Sequence, residues 1–224
     1  MAQALAESIF DVLYLAFVLY TGVFLIRKGD KGSLVRRFGL MAVILGAGDS
    51  FHLVPRAVAL WTSGLEANAA ALGIGKLITS ITMTLFYGIL YLIWRERYQI
   101  TGKRGLSIAV WSLAVLRIAL CAMPQNQWLS YEQPLLWGVL RNIPFAILGV
   151  LIIVIFAVEA KRANDRVFRL MWLAVALSFA FYIPVVLFAE RVPIIGTLMI
   201  PKTLAYVWVV VMGRNLYRQQ KQEA

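Results

Sequence analysis

Residues 49–56 set an acid, the chain's only histidine and a guanidinium within eight positions: Asp49, His52 and Arg56. Asp49 and His52 are three apart and His52 and Arg56 four apart, so on an α-helix all three stack on one face. An aspartate beside a histidine is the pairing of a general acid–base catalyst, and a nearby cation would stabilise an oxyanion. The same groups suit recognition of a carboxylate or phosphate. They also suit a polar network that only locks helix packing. Ser50 completes no hydrolytic triad, because a neighbouring helical residue projects about 100° away from Asp49. The single cysteine, Cys121, excludes an internal disulfide and a thiolate cluster. No metal site is expected, and the residue types name no cofactor.

The surrounding sequence is what makes these groups unusual. Of 224 residues, 61% are hydrophobic and 15% charged, and the mean hydropathy is +0.78. Soluble domains are roughly 45–50% apolar. Stretches long enough to cross a bilayer, about 20 residues, occur at 6–26, 38–60, 70–94, 106–123, 135–158, 168–189 and 193–213. The expected fold is an all-α integral membrane bundle of seven spans forming a single domain over 1–224. The fourth span is the shortest and is interrupted by Arg117. The start, "MAQALAESIFD", is acidic before its apolar run and does not read as a cleavable signal peptide.

Lysine and arginine set the direction. The connections "RKGDKGSLVRR", "RERYQITGKRG" and "EAKRANDRVFR" and the tail "RNLYRQQKQEA" hold sixteen of the 22 basic residues and five acids. That side carries the whole net charge of +11, and the six remaining cations balance six acids. The basic side is expected to be cytoplasmic, with the N-terminus outside and the C-terminus inside. Topology and anionic inner-leaflet lipids account for the charge, so no nucleic-acid partner is expected. Faint likenesses between "SFHLVP" and "SFAFYIP", and between "GIGKL" and "MIPKTL", suggest a 3+1+3 arrangement.

Placed by depth, the polar residues gather in the outer half. Asp11 and Glu7 come from span 1 and Asp49, His52 and Arg56 from span 2. Lys76 comes from span 3, Arg117 from span 4 and Arg141 with Asn142 from span 5. Tyr182 lies in span 6 and Lys202 near the centre of span 7. A charge at the centre of a spanning helix costs roughly 2.5–3.5 kcal/mol, so several together must face one another or water. Arg117, Lys76 and Arg141 are also placed to snorkel to the headgroups. All seven prolines lie in the same half, and Pro55, Pro144, Pro184 and Pro201 interrupt spans there, freeing carbonyls and widening the bundle. Gly46 and Gly48 allow a close helix approach. Trp61, Trp128 and Tyr131 read as interface anchors.

The expected feature is a polar cavity, net cationic, open outward and sealed below by apolar packing. It would bind an anionic small molecule or lipid headgroup through Asp11, Asp49, His52, Arg56, Lys76, Arg141, Asn142, Tyr182 and Lys202. The loop "MPQNQWLSYEQP" could cover its mouth. Output would pass to a cytoplasmic or membrane protein partner, and the location is a bacterial-type plasma membrane. The alternative is a lipid-modifying enzyme with Asp49 and His52 as acid and base. A zinc hydrolase of the seven-span ceramidase or adiponectin-receptor kind needs several histidines, and a rhomboid-type serine protease lacks its G-x-S-x-G here. Lys202 in the seventh span of an N-out bundle resembles a rhodopsin feature, and "FAFYIP" resembles that family's aromatic–proline segment. That likeness implies a retinal Schiff base on Lys202, although span 3 has no carboxylate and Leu198 stands one turn before the lysine. Seven spans in a 3+1+3 order are similar to small sugar-carrier folds, which implies a transporter.

Overall fold

A computed structural model describes residues 2–189 and 191–223, apart from the side chains of Ala2, Gln3 and Pro193. Glu190, in the "ERVP" connection, lies outside them. All regular structure among the described residues is helical: α1 Ala2–Lys28, α2 Leu34–Trp61, the one-turn α3 Gly64–Ala67, α4 Ala69–Arg97, α5 Arg104–Ala122, α6 Leu135–Arg162, α7 Met171–Phe188 and α8 Met199–Glu223. A 3₁₀ segment, Pro193–Leu198, leads into α8. Seven of the helices are long and apolar enough to cross a membrane. The shortest is α7, with 18 residues, rather than α5, with 19. The sixth span starts later than expected, because residues 166–170 form turns before α7 begins at Met171.

Helix ends follow local chemistry. Ser33 caps α2 by accepting the Arg36 N–H at 3.2 Å. Arg27 and Lys28, Arg95 and Arg97, and Lys161 and Arg162 occupy last turns, where cations complement the helix dipole. The helices run unbroken through Pro55, Pro144 and Pro184, which lie inside their spans as expected. Pro55 still deprives the Phe51 carbonyl of its helical donor. Gly75 of α4 lies directly against that carbonyl, where a Cβ would collide with it.

The helices form a ring. Successive spans pack side by side, α8 closes back on α1 and α2, and α4 also touches α6. Within lipid such packing depends on close fit and hydrogen bonds more than on the hydrophobic effect. Glycines supply the close fit: Gly46 faces Leu19, Gly48 faces Thr82, and Gly213 faces Phe38. Thr79 Oγ1 also donates to the Gly48 carbonyl at 3.0 Å.

The two ends differ. The core of Phe38, Leu90, Tyr91, Trp94, Phe156 and Val210 is fully buried toward the end holding the α1–α2 and α4–α5 connections. Polar residues tie that end together. Arg97 Nε pairs with Asp165 at 2.9 Å, the Tyr98 hydroxyl donates to Asp165 at 3.1 Å, and Arg37 pairs with Glu96. Burial alone would raise the Asp165 carboxyl, but the Arg97 hydrogen bonds and the Phe168 and Val167 N–H groups hold it below the usual carboxylate range. The opposite end carries the N-terminus and the α2–α4, α5–α6 and α7–α8 connections, and it is hollow.

Candidate functional site

A cavity of about 360 Å³ opens at this amino-terminal end, and all seven long helices contribute to its wall. Such a volume is in the range of small-molecule sites. Of the expected residues, Asp11, His52, Arg56 and Lys76 line it from the first half of the chain, and Arg141, Asn142, Tyr182 and Lys202 from the second. Asp49 is not part of the lining.

The mouth is a set of fixed charges. Arg56 donates through Nε at 3.2 Å and Nη2 at 3.1 Å to one oxygen of Glu7. Arg56 is therefore already paired with an acid, and Glu7 is more than an interfacial residue. Lys76 is exposed at the rim, between the wall and the solvent side.

The loop after α5 reaches this mouth through Gln133 and Pro134. Its anchor is Asn126, which is fully buried and donates to the carbonyls of Leu120 at 2.7 Å and Met123 at 2.8 Å. Asn126 Oδ1 in turn accepts from Arg141 Nη1 at 2.8 Å. The guanidinium of Arg141 sits 4.3 Å from the Trp128 ring centroid, a cation–π distance. Trp128 Nε1 donates to the Cys121 carbonyl at 2.8 Å. The Trp128 backbone abuts Gly73, where any side chain would overlap its carbonyl. Trp128 is thus a strap anchor, a role that the sequence alone did not show.

Deeper in, Arg117 and Lys202 dominate. Arg117 is 2% exposed and Lys202 8%. Arg117 therefore does not snorkel. Its guanidinium carbon lies 3.2 Å from the Phe145 centroid, and its Nε and Nη1 have no hydrogen-bond partner among the described residues. The Lys202 amine makes no hydrogen bond or ion pair there either, and lies 4.9 Å from the Tyr182 ring and 5.5 Å from the Tyr206 ring. The Tyr182 hydroxyl donates to Asn142 Oδ1 at 3.1 Å, and Asn142 donates to the Gly138 carbonyl at 2.8 Å. That chain of bonds leaves Tyr182 fixed beneath the amine.

Below them lies an aromatic floor. Tyr87 meets Phe145 at 5.1 Å and Phe179 at 5.6 Å edge-on, and Phe86 meets Tyr206 at 5.6 Å. These spacings are favourable for aromatic pairs. The buried Tyr87 hydroxyl reaches Ser178 at 3.3 Å and Tyr206 at 3.4 Å.

The opening trio of residues divides. Asp49 accepts the Tyr14 hydroxyl at 2.5 Å, beside the cavity rather than in it. Lys202 is the positive charge that acts on it most. His52 reaches the cavity wall, but its Nδ1 is buried without a partner among the described residues. No hydrogen bond joins Asp49 to His52, so the pair is not assembled as an acid–base dyad. Ser50 Oγ bonds the Ala47 carbonyl at 2.6 Å, away from both.

Reading the sequence alone missed Tyr14 and Asn126 as organising groups and left the direction of Arg117 open. A helical wheel gives one sign for Tyr14: it lies three positions from Asp11, on the same face. Compared with known protein families, characterised proteins and solved structures, the chain shows no match.

Proposed function

We propose that this is a multi-pass membrane protein that binds an anionic group, a carboxylate or phosphate, in the cavity between Arg117 and Lys202. The amino-terminal end would face outward, as the basic connections at the other end favour. One observation carries the reading: two buried cations face the same hollow, and neither forms an ion pair with an acid among the described residues. Arg117 also bears electrostatically on Lys202, so the two repel. A buried charge without a counter-ion is expensive, and a bound anion would relieve both. Asp49 balances Lys202 from behind, and Glu7 is taken by Arg56.

The test is native mass spectrometry of protein extracted gently from its membrane, together with thermal unfolding in added phosphate or acetate. The reading expects a bound anion or a stabilising shift that is lost in Arg117→Gln and Lys202→Gln. Occupancy and shift unchanged in both variants contradict it.

A second reading rests on the placement of the Lys202 amine, at the cavity wall among the Tyr182 and Tyr206 rings with Asp49 behind it. A retinal Schiff base there would give a visible absorbance band after incubation with all-trans retinal. A colourless protein ends that reading. Catalysis by Asp49 and His52 is less favoured, because Asp49 is bonded to Tyr14.

A further inference from the structure

The cavity also holds an acid with no bonded partner among the described residues. Asp11 of α1 lines the wall, partly buried, and no hydrogen bond or ion pair reaches it among the described residues. Its neighbouring charges are Glu7, Arg56 and Asp49, and of these Arg56 is bonded to Glu7 and Asp49 to Tyr14. Asp11 is thus the carboxylate of this corner left without a bonded partner.

Arg117 is the corresponding guanidinium on another wall. Helix α1 packs on α2 and α8, whereas α5 packs on α4 and α6. Asp11 and Arg117 face one hollow from different sides and form no ion pair with each other. Two opposite charges that line the same space and do not meet define a site with two poles. A simple anion would satisfy only the Arg117 and Lys202 pole and would add repulsion at Asp11.

We infer that the ligand is a zwitterion, with an ammonium received by Asp11 and an acidic group received by Arg117 and Lys202. This rests on the anion-binding reading and narrows it. An amino acid and an aminoalkyl phosphate share that chemistry, and the phosphate could be free or the headgroup of a phospholipid. The remaining polar wall suits both poles: Asn142 keeps an amide N–H to donate, Thr79 and Ser80, whose protons go to the Gly48 and Lys76 carbonyls, keep lone pairs to accept, and Phe10 and Met83 cover the link between the charged ends.

The test uses the full chain in detergent and two matched pairs of probes: phosphoethanolamine against ethyl phosphate, and 4-aminobutyrate against butyrate. Titration calorimetry should show one zwitterion bound about tenfold more tightly than its partner without the ammonium, the size of one charge-assisted hydrogen bond. Asp11→Asn, which keeps the side-chain shape, should abolish that preference by weakening the zwitterion, while the simple anion, freed of the repulsion, binds at least as tightly as before. Equal affinities within both pairs, or a preference that survives Asp11→Asn, overturn the zwitterion while anion binding stands. No response to any of the four probes overturns both. A lipid source is identified separately: retention of phosphatidylethanolamine over phosphatidic acid from mixed nanodiscs, again lost in Asp11→Asn, places the headgroup on a phospholipid.

Discussion

The Tyr14 hydroxyl donates to Asp49 across 2.5 Å, joining α1 to α2 beside the cavity and withdrawing the carboxylate from His52. Tyr14 is 4% exposed, so water offers little replacement for the bond.

Removing that donor should therefore be costly. Tyr14→Phe leaves a half-buried carboxylate short of a partner, and the expected loss is about 1–3 kcal/mol. Asp49→Asn in the same background should recover part of it, because an amide tolerates burial better than an unpaired charge. Thermal unfolding of the two single variants and the double variant measures the coupling. A Tyr14→Phe protein as stable as its parent would show that the bond contributes nothing.

Two glycines on α4 should resist any enlargement. Gly75→Ala drives a methyl group into the Phe51 carbonyl, and Gly73→Ala drives one into the Trp128 carbonyl. Backbone cannot yield as a side-chain tip can, so each is expected to cost about 1–3 kcal/mol. Gly105→Ala has nothing within 4 Å and serves as the control. Its midpoint should stay within about 0.5 kcal/mol of the parent.

At the far end, Asp165 predicts an acid limb. Its carboxyl is held below the ordinary range, so the unfolded chain binds the proton more readily than the folded one. The stabilisation is complete at neutral pH and disappears as pH falls below about 4 toward the folded value. Asp165→Asn should cost roughly 2–3 kcal/mol at pH 7, the range for hydrogen bonds to a charged group. The same variant should flatten the decline between pH 5 and 3. An unchanged acid limb would transfer that decline to other groups.

Asn126 should govern the strap. Asn126→Ala removes its donors to the Leu120 and Met123 carbonyls and the acceptor for Arg141. Hydrogen exchange at residues 123–134 should quicken by about tenfold or more, corresponding to the loss of one or two net hydrogen bonds. Amides in α6 beyond residue 145 should not change. Exchange that stays slow throughout 123–134 would assign the strap's order to Trp128 alone.

The bundle was legible because spanning segments announce themselves by length and apolarity, and no neighbour is needed to see them. The level of the cavity was legible too, since Arg56, Lys76, Arg141 and Lys202 share a depth at which charges must meet one another, water or the headgroups. Partnerships were not. Glu7 and Arg56 lie 49 positions apart, and Tyr14 and Asp49 lie 35 apart. Which of them meet depends on the rotation of one helix against another, which hydropathy leaves undetermined. Pro55 shows the same limit from the other side: its missing donor is visible in sequence, but the reply by Gly75 across the helix interface is not.

The floor of rings under Lys202 has a consequence for the cell. Phe86, Tyr87, Phe145, Phe179 and Tyr206 form a continuous run of ring contacts, with centroids 5.0 to 5.6 Å apart. If the amino-terminal end faces outward as proposed, a solute entering the hollow would meet rings rather than a polar path, and an energised bilayer would see no open route past them in this conformation. A ligand held at the proposed site would leave by the opening through which it came, unless those rings part.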